Sequence, residues 1–181
     1  MSLVGYWKLN GNANESSGLG NNGTNVNSPT YVAGLNGLSL NVTGTEYVNI
    51  TSSSALCLTS AGTISAWIKP STLTQETWAG IVTKNRNGQL GGVSYGIVWR
   101  QADNVIRFQI VSTTAENNIS VAKPANLNWL HILFTFDGSY LRAYVNGVQA
   151  ATPVAQTLNC MVGSDQPVKI GGYNYAEDAV N

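Results

Sequence analysis

The residues that could do covalent chemistry are few. His131 is the sole histidine, Cys57 and Cys160 are the only cysteines, and nine carboxylates are spread along 181 residues. Retaining glycoside hydrolysis needs two carboxylates about 5 Å apart, one as nucleophile and one as acid/base. Glu15, Glu46, Glu76, Asp103, Glu116, Asp137, Asp165, Glu177 and Asp178 show no such pairing, and most fall in turns or loops. A nucleophilic triad built around His131, the sole histidine, has no support in the sequence. The cysteines lack metal-ligand spacing and fit either a disulfide or two buried thiols. Catalysis is not expected.

Binding chemistry is better represented. Sugars stack their apolar C–H faces on aromatic rings, and their hydroxyls bond to Asn, Asp and Arg. Over 62–69 the alternation sends Ile64, Ala66 and Ile68 to one face and Thr63, Ser65, Trp67 and Lys69 to the other. Trp67 is thus a candidate platform. Tyr140, Arg142 and Tyr144 likewise point away from Leu141, Ala143 and Val145. Trp78, Tyr173 and Tyr175 fall in loops and are the stronger ligand-binding candidates. For metals, calcium takes about six to eight oxygens, and the glycine-rich loop from Glu15 to Asn22 offers the Glu15 carboxylate with Asn21 and Asn22. The competing reading of that loop is a plain run of turns.

The elements that position these groups read as strands. Period-two segments recur near 5–9, 24–27, 37–42, 47–50, 62–69, 80–84, 95–100, 105–111, 119–122, 129–136, 140–145, 148–151 and 168–171. Asn36-Gly37, Asp103-Asn104, Asp137-Gly138 and Asn146-Gly147 supply turns between them. Asn146-Gly147 suits a two-residue hairpin, because both central residues need positive φ. The pattern predicts an all-β, two-sheet antiparallel sandwich. Charged residues are only 10% and net charge is zero, so there is no basic footprint for nucleic acid. No apolar run reaches membrane-spanning length, so no membrane insertion is expected. The neutral Asn, Ser, Thr and Gly surface suits an extracellular, cell-surface or virion protein.

Several phrases resemble laminin-G-like domains of the concanavalin A-like lectin/glucanase superfamily. They are Tyr6-Trp-Lys-Leu9, Gly62-Thr-Ile-Ser-Ala-Trp-Ile-Lys-Pro70, Trp129 and His131 ahead of Phe136-Asp-Gly138, Tyr144-Val-Asn-Gly147, and Val168-Lys-Ile-Gly-Gly172. The resemblance implies one jelly-roll domain over 1–181 and a non-catalytic binding or adhesion module, with glycan as first-choice ligand. The alternatives are a structural or protein-binding domain of a larger surface or virion protein and, last, a glycoside hydrolase. The Glu-x-Asp-x-x-Glu phrase of glucanase relatives is missing. Glu15 stands where similar domains carry an acidic residue, more usually Asp, before Ser-Gly. A Trp and a Tyr are usual at Trp67 and Tyr144, which implies that these two pack within the fold. Similar domains also continue into a last strand, whereas this chain stops at Asn181. The expectation is a bare sheet edge that forms a homodimer or borrows a strand from a partner.

Overall fold

The computed structural model describes residues 2–75, 78–85, 93–111, 115–156 and 165–172. Its strands, in chain order, are β1 (Gly23–Val26), β2 (Thr30–Ala33), β3 (Leu38–Asn41), β4 (Tyr47–Ile50), β5 (Gly62–Ile68), β6 (Trp78–Asn85) and β7 (Val93–Arg100). There follow β8 (Val105–Val111), β9 (Glu116–Ala122), β10 (Leu130–Phe136), β11 (Tyr140–Val145), β12 (Val148–Gln149), β13 (Val154–Ala155) and β14 (Val168–Ile170). One sheet runs β1-β4-β14-β6-β7-β8-β9. A second runs β12-β11-β10-β5 with β13 also on β11, and β2-β3 forms a separate hairpin. All these pairings are antiparallel.

Alternation decides which side chains close the sandwich. Tyr95, Ile97 and Trp99 of β7 and Ile106, Phe108 and Ile110 of β8 face Leu130, Ile132, Phe134 and Phe136 of β10 in one core. The Phe108 ring stacks on Phe134 at 5.3 Å and tilts on Phe136 at 6.2 Å, which joins the two sheets. Asn146 and Gly147 take φ values of 49° and 81°, as the hairpin required. One inward group is polar. Lys84 is buried, and its Nζ donates to Ser52 Oγ at 2.8 Å and to the Gln166 carbonyl at 2.6 Å. Desolvation lowers its pKa, with Cys57 and Asp165 acting against that shift.

The opening segment corrects an expectation. Residues 5–9 form no strand; a single bridge joins Trp7 to Glu15, and Leu9 turns to φ 55°. Trp7 instead packs against the core while its Nε1 donates to the Asn21 carbonyl at 2.9 Å. Strands β2 and β13 were not expected from the sequence pattern. Cys57 Sγ lies 3.5 Å from the Ser53 carbonyl, and Cys160 falls outside the described residues.

Candidate functional site

The outward face of the seven-stranded sheet holds three of the four buried side-chain atoms that lack a hydrogen-bond partner among the described residues. Because Tyr95, Ile97 and Trp99 point inward, Gly96, Val98 and Arg100 must point out. Register then sets Arg100 beside Trp78 and Val105, Val98 beside Gly80 and Arg107, and Gly96 beside Thr83 and Gln109. Although outward, Thr83, Val98 and Gln109 are 0%, 0% and 3% exposed. Gln109 Oε1, Arg100 Nε and Arg107 Nε are buried atoms without a hydrogen-bond partner. Each such atom costs about 1–3 kcal/mol unless water or a ligand meets it.

At one end of this face the side chains open to solvent. The Arg100 guanidinium lies over the Trp78 ring at 4.7 Å. Arg100 also donates to the Asp103 carboxylate. Arg107 reaches Asp103 at 3.1 Å and Glu116 at 3.7 Å, and Asn118 Nδ2 donates to Glu116 at 3.2 Å. One guanidinium therefore holds both carboxylates, a structural use rather than the open pair hydrolysis needs. Trp78, expected in a loop, is the first residue of β6, because its backbone pairs with Arg100 of β7. Tyr173 and Tyr175 fall outside the described residues.

The Glu15 loop does bring Glu15, Asn21 and Asn22 together. Glu15 Oε1 accepts the backbone N–H of Tyr6 at 3.0 Å and that of Ser17, and Oε2 accepts Gly18 and Leu19, each at 3.1 Å. Asn22 Oδ1 accepts the N–H of Glu15 at 2.9 Å. Asn21 Oδ1 accepts Ser53 Oγ at 2.9 Å, while its Nδ2 donates to the Val4 carbonyl. Burial would raise the Glu15 pKa, but bonds from Ser17, Tyr6 and Leu19 win and pull it down to about 2. Among the described residues no group of three or more His, Cys, Asp or Glu could hold a metal.

Trp67 corrects another expectation. It does not pack within the fold: it is 55% exposed on the outward face of β5. Its cross-strand partner is His131 of β10, whose ring lies 5.1 Å away at 42°. Tyr144, the second residue expected to pack, is half-buried on the same face beside Leu133 and Gln149. Ser65 Oγ and His131 Nε2 are 2.7 Å apart. Among the described residues no carboxylate bonds to that imidazole. β5 borders the sheet, with β10 as its partner among the described strands.

A laminin G family model, described as the concanavalin A-like lectin/glucanases superfamily, matches residues 42–181. The chain belongs to that superfamily. No protein of curated function matches it by sequence. Domain 4 of AbnA, a GH43 extracellular arabinanase from Geobacillus stearothermophilus solved with arabinotriose, is similar in fold. The TM-score is 0.70 at 18% identity, over 93% of this chain and 82% of that one. The binding domain of botulinum neurotoxin DC, solved with rat synaptotagmin II, gives 0.65 at 15% identity, over 86% of this chain and 40% of that one. Mouse laminin alpha1 domains LG4-5 give 0.52 at 10% identity, over 70% and 32% of the two chains.

Within this laminin-G-like sandwich, sequence reasoning singled out Trp78 but missed Arg100, Arg107 and Gln109. The signal was present. Alternation over 105–111 puts Arg107 and Gln109 on one face, and a hairpin at Asp103-Asn104 carries Arg100 to the same side. Their burial was not legible, because a polar residue that points away from the core is expected to be wet.

Proposed function

We propose that this domain is a non-catalytic, extracellular or surface-borne carbohydrate-binding module that seats a glycan at the open end of the seven-stranded sheet's outer face, against Trp78, Arg100 and Arg107. The observation that carries the reading is the grouping there of the Trp78 ring under Arg100 with the Asp103, Glu116 and Asn118 side chains around Arg107. Sugar hydroxyls donate and accept at once and so match a mixed set, while Trp78 offers a ring for C–H stacking. The carboxylates Asp103 and Glu116 fix the two guanidiniums. The fold neighbour solved with arabinotriose makes that sugar the first probe. Isothermal titration should show weak, saturable binding of arabinotriose or of another neutral oligosaccharide on a glycan array. Trp78→Ala should weaken it at least tenfold. Binding left unchanged by Trp78→Ala would overturn the placement, and hydrolysis of the probe would overturn the non-catalytic reading.

Calcium at the Glu15 loop is a separate proposal, and the donor set favours a self-supporting clamp over an ion. An entering ion would have to displace backbone donors from the carboxylate. Millimolar calcium added to chelator-treated protein should therefore leave Tm unchanged, and a rise abolished by Glu15→Gln would establish the ion. A protein-binding role is the second reading. Trp67, Tyr140 and Val148, 55%, 44% and 70% exposed, favour it. Light scattering at high concentration tests self-association there, and Trp67→Glu should abolish any dimer that forms.

A further inference from the structure

A shallow cleft of about 340 Å³ opens where the loop after β9 meets the β11–β12 turn. Its walls are Pro124, Ala125, Asn126, Asn128, Trp129 and Asn146, and no charged residue lines it. The volume sits at the small end of ligand sites, enough for one sugar ring. Lys123, next in the chain to Pro124, sends its Nζ elsewhere, to the Leu73 carbonyl at 3.0 Å.

The side chains of this cleft are fixed at one end and open at the other. Asn126 Oδ1 accepts the Asn128 N–H at 3.0 Å, and Asn146 Oδ1 accepts the His131 N–H at 2.9 Å. Those two bonds decide which way each amide lies, and both Nδ2 groups are left with no protein acceptor among the described residues. Trp129 Nε1 and the Asn128 side chain likewise make no bond to described residues. Trp129 is half-buried yet is not among the residues that pack against the core. A large ring outside the core cluster thus stands beside neutral donors, of which Asn126 and Asn146 are held in place by backbone bonds.

We infer that this cleft is a second binding site, separate from the Trp78 face, and that it takes one neutral sugar ring. The ring would lie on Trp129 while its hydroxyl oxygens accept from Asn126, Asn128 and Asn146. The lack of charge in the lining selects against uronic acids and amino sugars, since nothing there would compensate a desolvated charge. Two sites on one domain would raise the affinity for a polymer without a tighter contact at either.

The test follows the assigned Trp129 indole N–H by NMR in the full chain, with arabinose, galactose and galacturonate as separate titrants. A saturable shift with arabinose or galactose is expected, in the millimolar range, with at least a fivefold weaker response to galacturonate. Asn128→Ala, an exposed position, should weaken it at least threefold while the far-ultraviolet spectrum stays unchanged. The shift should survive in Trp78→Ala, which separates this site from the one under Proposed function. A Trp129 resonance that stays still with all three sugars would overturn the inference, whatever Trp78 does. A response as strong to galacturonate would overturn the neutral-ligand claim.

Discussion

The outer faces of the two sheets obey the same alternation and meet opposite fates. On the five-stranded sheet an outward tryptophan, Trp67, is 55% exposed. On the seven-stranded sheet outward polar residues are shut away: Thr83, Ser94, Gln109 and Lys169 are 0%, 1%, 3% and 5% exposed. Pointing away from the core is therefore not the same as meeting water. The exposed face sets Trp67 among polar neighbours, Thr63, Ser65 and His131. The polar buried face holds hydrogen-bonding capacity in a low-dielectric setting, where each bond counts for more.

Identical substitutions on the two faces should break the comparison most sharply. Val98→Lys would bury an ammonium beside the Arg107 guanidinium, where the native side chain is 0% exposed, at a cost of about 3–5 kcal/mol or failure to fold. Thr63→Lys, on the exposed face of β5, should change stability by no more than about 0.5 kcal/mol. Urea denaturation of both proteins measures the difference. Next in size is Gln109→Met, which removes an acceptor that has no partner. It should raise stability by about 1–3 kcal/mol. Loss of stability on that change would show that Gln109 is already satisfied. Lys169, whose Nζ lies 4.1 Å from the Tyr47 ring, sharpens the same face. Lys169→Met should cost about 1–2 kcal/mol, the value of a desolvated cation–π contact.

Smaller effects belong to the exposed groups. Trp67→Ala should lower stability by less than about 1 kcal/mol, because most of its ring is already in water. A cost of about 3 kcal/mol or more, typical of a buried ring, would restore the expectation that Trp67 packs within the fold. For Glu15 the sign follows from its lowered pKa, about 2 against an ordinary 4.5. Its contribution is present above pH 4.5 and fades as pH falls toward 2, so acid should loosen the loop over that window. Glu15→Gln should flatten that part of the pH–stability profile, as read by thermal unfolding from pH 2 to 6.

Much of the architecture was legible in the chain. β4, β8 and β11 have the bounds their alternation suggested, and Asn146-Gly147 set the hairpin between β11 and β12. What alternation cannot show is which element covers a face. That gap explains why Gln109 was passed over, whereas Trp67 was expected to pack because the resemblance, not the alternation, implied it. At residues 5–9 the pattern was sound, but Trp7 gains more from the core and from the Asn21 carbonyl than from a sheet ladder. The Glu15 loop was recognised as a cluster, yet residue types alone do not reveal that backbone N–H groups occupy its carboxylate.

The most direct measurement uses the five tryptophans, Trp7, Trp67, Trp78, Trp99 and Trp129, each in a different setting. Their indole N–H resonances, assigned by single substitutions, are followed during titration with arabinotriose. The account predicts a saturable shift at Trp78, with Trp67 unmoved. A titration in which Trp67 moves and Trp78 does not would contradict it, and would place binding on the exposed face of the five-stranded sheet.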